Sequence, residues 1–222
     1  MLRLANSPFY GFPSRIASVP HAVVVLGLNV VKGLTLCATA HDIMKDAGLD
    51  QLWRHSLGVA ITAQILGKRL DMKNAEEVFV AGLLHDIGKV LLYVKWPDVG
   101  KKIKAANPSG DRPMVQVEQQ LYEVSHAEVG GWLANAWHLP VALREPILFH
   151  HQPGAAQDAQ LQTAVVHVAD VLVKGMACGN PGDEWVPPLS RQAWDLVGLD
   201  AESLAGCIAR ASEEFLAIDD YL

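Results

Sequence analysis

The stretch that decides the fold reads Ala81-Gly-Leu-Leu-His-Asp-Ile-Gly-Lys89, a short apolar run that ends on a histidine and an aspartate. Neutral imidazoles and carboxylates are the ligands that divalent zinc, manganese, iron and nickel accept in proteins. Neighbouring residues on a helix point about 100° apart, so His85 and Asp86 can reach one point only where the helix ends. We expect Gly88 to end the helix in a left-handed conformation. The C-terminus of a helix carries a partial negative charge, which favours a cation there. The alternative is a polar pair that marks an exposed helix end.

Further residues of the same ligand types lie in order on both sides of this pair: His55, His126, His150, His151 and Asp170. Pro153 biases the preceding residue away from the α conformation, so we expect a helix to end near His150-His151 and both rings to fan out. Asp170 lies within an apolar helical pattern, where an unpaired carboxylate would be costly and a metal ion is one way to satisfy it. Together these residues predict a metal site.

Each of these residues also has a simpler explanation. Two adjacent histidines in a loop are commonly exposed, a lone helical histidine such as His55 is usually in the core or on the surface, and His126 could be only a first-turn residue. Asp170 shares one helix stripe with three other polar residues, so a solvated face is an alternative there: Thr163, His167 and Lys174. For the other histidines we expect no ligand role: His21, His41, His138 and His167.

Composition excludes several classes of protein. A chain of 222 residues, half of them apolar, can bury a substantial core and is globular. The net charge of −6 disfavours a nucleic-acid partner, because such affinity comes mostly from Lys and Arg. Three separated cysteines (Cys37, Cys178, Cys207) without a CxxC pair predict a reduced, cytoplasmic protein. The longest apolar stretch, Ala22–Leu28, is too short for a membrane span, and we see no signal peptide.

Helical signals dominate and no useful strand alternation occurs, so the predicted class is all-α. Caps and breakers predict helices over 18–27, 29–45, 50–70, 74–86, 126–137, 140–151 and 158–178. Two of them begin with capping-box patterns, Asn74 with Glu77 and Ser125 with Glu128.

The clearest loop is the Gly- and Pro-rich stretch Gly179–Pro188. We therefore predict one helical domain over residues 1–178 and a small C-terminal helical extension over 179–222. Ser190 and Asp200 are the expected caps of two amphipathic helices in that extension.

The order H…HD…H…HH…D, centred on His85-Asp86-Ile-Gly-Lys89, resembles the HD superfamily of metal-dependent phosphohydrolases. Several further segments look like its HDOD branch, bacterial signalling domains related to the HD-GYP phosphodiesterases. They are Leu2-Arg-Leu-Ala-Asn-Ser-Pro-Phe-Tyr-Gly11, Ile16-Ala-Ser-Val-Pro-His-Ala-Val23, Leu52-Trp-Arg-His-Ser56, Ala127-Glu-Val-Gly130 and Trp137-His-Leu-Pro140. The resemblance covers about residues 1–178 and implies an HD-type helical fold.

The resemblance also implies a ligand set. Its basic site would consist of His55, His85, Asp86 and Asp170, with Asp86 as the bridge, and a second ion would be completed by His126, His150 and His151. Asp86 and Lys89 would be the catalytic residues, with Lys89 neutralising a phosphate oxygen; the alternative for Lys89 is a solvated lysine. The implied cofactor is one or two divalent ions of iron, manganese, zinc or nickel.

Three departures from the family pattern bear on function. Many HDOD domains have lost the metal residues, whereas this chain keeps the whole set. The Gly-Tyr-Pro element of the cyclic-di-GMP enzymes is replaced by Gln152-Pro-Gly-Ala155, which puts that substrate in doubt, and Gln51 stands where a third metal would need a carboxylate. The family's domain usually begins some tens of residues before the position of Met1, so we expect an exposed apolar face and a homodimer.

Two functions follow from the resemblance. The first is a signalling domain that acts as a phosphohydrolase or phosphodiesterase on a nucleotide or another small phosphoester. The second is a non-catalytic signalling module whose partner is a signalling protein or a small phosphorylated ligand.

Overall fold

The computed structural model describes residues 1–6 and 15–218. Within those ranges the regular structure is entirely helical, so the all-α prediction is confirmed. Part of the first HDOD-like segment, residues 7–11, lies outside the described residues. None of the described helices combines the length and the apolar character that a membrane crossing requires.

The described helices are connected in sequence, with one long connection between Gly175 and Arg191. In chain order they are α1 Leu2–Ala5, α2 Val19–Leu26, α3 Leu28–Asp46, α4 Asp50–Arg69, α5 Ala75–Leu84, α6 Ile87–Val90, α7 Pro97–Ala106, α8 Met114–Tyr122, α9 His126–Ala136, α10 Val141–Phe149, α11 Gln160–Gly175, α12 Arg191–Val197 and α13 Ala201–Ile218. A π-helical turn, Leu91–Lys95, follows α6, and a 3-10 turn, Pro153–Ala155, follows α10.

Helix α4 is the centre of the fold. It is buried along nearly its whole length and packs against α5, α11 and α13. The contact with α5 is close, because a Cβ on Gly82 would lie 2.8 Å from the Cα of Ala60. Since the short connection from Leu70 to Asn74 makes α4 and α5 antiparallel, the start of α4 lies beside the end of α5. This pairing brings His55 towards His85.

Several predicted caps are confirmed. The side chain of Ser125 accepts from the backbone of Glu128 while the Glu128 carboxylate accepts from the backbone of Ser125, a complete capping box at the start of α9. Ser190 caps α12, and the Asp200 carboxylate accepts from the backbone N–H of Ser203 at 2.7 Å at the start of α13. These signals act within one helical turn, which is why the sequence reveals them.

Other local predictions are wrong. Asn74 makes no capping bond to the backbone, because its side chain bonds to the carboxylate of Glu77 instead. The helix that contains Asp170 begins at Gln160 rather than at Asp158. Gly88 is not in a left-handed conformation: α5 ends at Leu84 and the chain enters α6 almost at once, with Gly88 inside it.

The reason for glycine at position 88 is a close approach of two helices. A Cβ there would collide with the backbone carbonyl oxygen of His126 and would lie 2.9 Å from the backbone nitrogen of Gly130. Thus α6 packs directly against the start of α9, and this contact fixes the position of His126 relative to Asp86.

The residues beyond 178 pack on the same core. Phe215 of α13 is buried, and a Cβ on Gly58 of α4 would lie 3.6 Å from its ring. The backbone N–H of Asn180 donates to the carbonyl of Gln51 at 3.1 Å. The division into 1–178 and 179–222 stays a prediction, although one core cluster spans both parts.

We predict that Gly88→Ala lowers the free energy of unfolding by roughly 1–3 kcal/mol, because the added methyl group forces α6 away from α9. Gly206→Ala is the matched control, since no atom lies within 4 Å of a Cβ at that position of α13. It should raise stability by about 0.5–1 kcal/mol. Urea unfolding followed by circular dichroism measures both changes, and equal stabilities would contradict the proposed contact.

Candidate metal centre

The structure brings all the predicted ligand residues to one place inside the helical bundle. His55 lies in the second turn of α4, the His85-Asp86 pair joins α5 to α6, and His126 opens α9. His150 and His151 follow the end of α10 directly, while Asp170 lies within α11. All of these side chains are buried except that of His151, which is partly exposed. The alternatives of exposed histidines and a solvated Asp170 are therefore wrong.

A first group consists of His55, His85 and Asp170, whose potential ligand atoms all lie within 4.8 Å of one another. The Nε2 atom of His55 lies 3.1 Å from Oδ1 of Asp170, and Nε2 of His85 lies 3.9 Å from the same oxygen. Three donors from three helices thus point at one small volume.

A second group consists of His126, His150 and His151, with ligand atoms equally close together. The Nε2 atoms of His126 and His151 are 3.0 Å apart. Three imidazoles at this separation are a donor set typical of zinc, iron or nickel sites.

Asp86 lies between the two groups and turns one oxygen towards each. Its Oδ2 is 3.3 Å from Nε2 of His85 and 3.8 Å from Nε2 of His55. Its Oδ1 is 3.1 Å from Nε2 of His126 and 3.7 Å from Nε2 of His150. This is the arrangement that a bridging carboxylate needs.

Several of these buried polar atoms lack a hydrogen-bond partner within the described residues: Nε2 of His55, His85 and His150, and Oδ1 of Asp86 and Asp170. A buried polar atom without a partner costs about 1–3 kcal/mol, and a charged one costs more. A cation that accepts their lone pairs would remove this cost, so the residues present fit a metal ion.

The protonation states also fit. Burial lowers the pKa of His55, and burial followed by neighbouring imidazoles lowers the pKa of His150 and His151 well below the ordinary value. Burial opposes ionisation of Asp86, but His85 and Lys89 still hold its pKa well below its usual range. Neutral imidazoles and an ionised carboxylate are the forms that bind metal ions.

Hydrogen bonds behind the rings fix their orientation. The Nδ1 atom of His85 is 2.7 Å from the carbonyl oxygen of Gly82, and that of His150 is 2.9 Å from the carbonyl oxygen of Ile147. Because a carbonyl only accepts, each Nδ1 must donate, which leaves the Nε2 lone pair directed at the centre.

His126 has a stronger partner, the buried carboxylate of Glu118. One oxygen of Glu118 lies 2.6 Å from Nδ1 of His126 and accepts its backbone N–H at 2.8 Å. Burial alone would lower the pKa of His126, but Glu118 and Asp86 raise it. Glu118 therefore positions His126 and strengthens it as a ligand.

Two lysines, the buried Lys89 and the partly buried Lys174, neutralise the carboxylates. Nζ of Lys89 lies 2.8 Å from Oδ2 of Asp86, and Nζ of Lys174 lies 3.4 Å from Oδ2 of Asp170. Burial disfavours the charge on Lys89, but Asp86 and Asp183 raise its pKa, so the ammonium is retained. The alternative of a solvated Lys89 is wrong, because its side chain is 1% exposed.

Comparison with known proteins agrees with this geometry. The HDOD domain family matches residues 1–153, more than half of the chain and most of the centre. The chain belongs to the HDOD domain family. Asp170 lies beyond the matched residues.

Relatives of this HDOD chain include proteins without an established role. An uncharacterized protein of Treponema pallidum (strain Nichols) is 26% identical over 188 residues, which are 83% of the chain and 37% of the relative, so the chain spans just over a third of that protein. The crystal structure of an HDOD domain protein with unknown function from Geobacter sulfurreducens is 28% identical, with a TM-score of 0.77 and coverage of 100% of the chain and 80% of its own.

A second crystal structure carries a functional name. A protein from Shewanella amazonensis SB2B named "Putative phosphohydrolase" is 26% identical to this HDOD chain, with a TM-score of 0.67 and coverage of 96% of the chain and 78% of its own. The shared fold thus extends over nearly the whole chain, beyond the residues that the family matches.

Sequence reasoning missed two residues of the HDOD centre. Glu118 gave no local signal, because it reaches His126 only through the packing of α8 against α9. Lys174 did give one: it lies four residues after Asp170, where an i, i+4 ion pair is expected. His167 has the structural role expected of it, since Nδ1 bonds to the carbonyl of His150 and Nε2 accepts from the backbone of Ser190.

A cavity of about 470 Å³ opens onto the second histidine group. His126 and His151 lie at its inner end together with Lys89 and Lys174. The rest of its lining comes from Asp111–Gln116, from His167 and from residues of the connection between α11 and α12.

We predict that Glu118→Gln weakens metal binding by roughly 10- to 100-fold, because the isosteric amide keeps the shape but removes the charge that orients His126. Glu123→Gln is the control, an exposed residue at the end of the same helix. Titration of the metal-free protein with manganese or zinc in a calorimeter measures both affinities. Equal affinities for Glu118→Gln and Glu123→Gln would remove the positioning role.

The metal-free protein should lose stability as the pH falls below about 6.5. His55, His150 and His151 have a lowered pKa in the fold and the ordinary 6.5 when unfolded, so the unfolded chain takes up protons that the folded chain does not. His126, with a raised pKa, acts in the opposite direction but is outnumbered. Urea unfolding with a chelator at pH 7.5 and 5.5 tests this; stability that rises towards pH 5.5 would contradict it.

Proposed function

We propose that this HDOD domain is a signalling domain that binds two divalent metal ions and hydrolyses a small phosphoester. The observation that carries the proposal is the position of Asp86, whose two oxygens face two different histidine groups. Two ions joined by one carboxylate are a common arrangement in enzymes that cleave phosphate esters. Imidazole with carboxylate is compatible with iron, manganese, zinc and nickel.

The two groups differ in access, which supports different roles for the two ions. His126 and His151 of the second group line the cavity, whereas the first group, His55, His85 and Asp170, is fully buried behind them. A closed site is typical of a structural metal and an open one of a catalytic metal. An ion held by His126, His150 and His151 would serve the reaction, and an ion held by His55, His85 and Asp170 would support Asp86.

Ions held there would lower the pKa of a water molecule and neutralise charge on the phosphate. The chain itself contributes Lys89 and Lys174, which line the same cavity. Beside bound metal ions they would help to attract a phosphate group to the inner end and to offset the negative charge that grows on its oxygens in the transition state.

A non-catalytic signalling module is the second candidate. The observation that favours it is the pairing of both carboxylates with lysines, Asp86 with Lys89 and Asp170 with Lys174. This pairing neutralises both carboxylates without a metal ion, and the cavity would then serve to bind a ligand or to respond to a protein partner.

Metal-loaded protein should hydrolyse bis(4-nitrophenyl) phosphate, and Asp86→Asn should lower kcat/KM by roughly 10²–10³-fold, because the charge that holds both ions is lost. His85→Ala should have a similar effect. Asp42→Asn is the matched control, an exposed aspartate on α3. Release of 4-nitrophenolate measures the rate, and activity that survives both substitutions would exclude the enzyme proposal.

Single ligand changes should separate the two ions. Asp170→Asn should remove one ion, that of the first group, whereas His151→Gln should remove the ion of the second group together with the activity. Metal content per chain after dialysis, measured by plasma mass spectrometry, gives the number bound. A wild-type value near zero under metal-rich conditions would favour the non-catalytic candidate.

Other properties remain predictions. The described cysteines are free thiols, which agrees with a cytoplasmic location. Several apolar side chains on α2 and α3 are exposed, and these support the predicted homodimer: Val19, Val24 and Leu28. A small phosphorylated ligand or a signalling protein remains the expected partner.

A further inference from the structure

The connection between α11 and α12 is a fixed part of the cavity wall. It is tied down at its start by the bond from Asn180 to Gln51 and at its end by the bond from Ser190 to His167. Between them the buried carboxylate of Asp183 accepts the backbone N–H of Met114 at 2.8 Å. The backbone of Glu184 also donates to the carbonyl of Gly110 at 3.1 Å. A segment held at four points has lost most of its freedom before any ligand arrives.

The start of this connection also contacts α4 at the backbone of His55. A Cβ at Gly179, which has a φ of 71°, would collide with the backbone nitrogen of His55. The same stretch therefore touches the helix that carries a predicted ligand and then runs on to line the cavity.

The cavity has two chemically different ends. The inner end holds imidazoles and the ammonium groups of Lys89 and Lys174. The outer part is lined by Trp185, Pro187 and Pro188, which the tied connection supplies, together with the exposed residues Asp111, Arg112 and Gln116. Trp185 is 41% exposed, although hydrogen bonds hold the backbone of the segment that carries it. Part of the indole is therefore accessible to a ligand.

Size and polarity together indicate the ligand. Inorganic phosphate alone would leave most of a cavity of about 470 Å³ empty, whereas pockets for drug-sized ligands have about 300–1,000 Å³. Metal ions held at the two histidine groups, added to the two lysines, would give the inner end an excess of positive charge that attracts an anion, and an indole with two prolines favours a flat ring by stacking.

We propose that Trp185 selects a phosphoester with an aromatic ring, such as a nucleoside phosphate, by stacking the ring at the outer end while the phosphate lies at the lysines. The inference rests on the proposed function of the centre, because it places the phosphate beside His126 and His151. It makes Trp185 a specificity residue, and the connection from Gly179 to Ser190 part of the substrate site.

The test compares two ligands that share sugar and phosphate and differ in the base, adenosine 5′-monophosphate and ribose 5-phosphate. Calorimetric titration of metal-loaded protein at low temperature gives both affinities, with phosphate release followed in the same samples. Base stacking is worth roughly a 5- to 150-fold preference for the nucleotide. Trp185→Ala should remove most of that preference and leave the affinity for ribose 5-phosphate unchanged.

Two further variants separate stacking from a general effect on the fold. Trp185→Phe keeps an aromatic plane and should restore most of the preference. Trp132→Ala removes an indole that is 63% exposed on α9 and does not line the cavity, so it should change neither affinity. A preference that survives Trp185→Ala, an equal loss for both ligands, or no binding of either ligand to wild-type protein would overturn the inference.

The outcomes also separate this inference from the proposed function. Protein that binds metal and cleaves bis(4-nitrophenyl) phosphate but does not distinguish the two ligands would overturn the role of Trp185 alone. A ring preference that depends on Trp185, without any hydrolysis, would support the stacking site and reject the catalytic role of the centre.

Discussion

The structure depends on the burial of one carboxylate, that of Asp86, among imidazoles from several helices. An isolated ionised carboxylate in such surroundings would be very unfavourable. Here Lys89 lies 2.8 Å away, and imidazoles of both histidine groups approach the two oxygens. The charge is thus tolerated only because separate parts of the chain meet at this point. The chemistry of the centre therefore depends on how the helices are placed.

The meeting point is built largely from helix ends. His85 and Asp86 follow α5, His150 and His151 follow α10, and His126 begins α9. A residue at a helix end can aim its side chain in directions that the interior of a helix does not allow, which lets adjacent residues serve different groups. The geometry of the centre therefore depends on the exact placement of the helices. Gly88 is an example, because only a residue without a side chain lets α6 pack against the carbonyl of His126.

The sequence predicts what depends on neighbours in the chain. Caps such as Ser125 and Asp200 act within one turn, and the order of imidazoles and acids shows the resemblance from which the ligand set follows. It does not predict contacts made across the fold. Glu118 reaches His126 from a different helix. Position 88 requires glycine because the carbonyl oxygen of His126 lies close to it, and not because the chain turns there. Likewise the sequence predicts a loop over Gly179–Pro188, whereas hydrogen bonds to Gln51, Gly110 and Met114 fix this segment as part of the cavity wall.

The two lysines connect the centre to the cavity. Each ammonium lies within 3.4 Å of a buried carboxylate oxygen, and both also line the cavity. Charges this close interact strongly in a buried site, so a cation near Asp86 or Asp170 and an anion at the inner end of the cavity must influence each other's binding. The coupling is reciprocal by thermodynamic necessity: whatever a metal ion does to the affinity for a phosphate, the phosphate does to the affinity for the metal ion. A catalytic domain and a ligand-responsive signalling module could both use that coupling, which is why one arrangement of residues is compatible with either role.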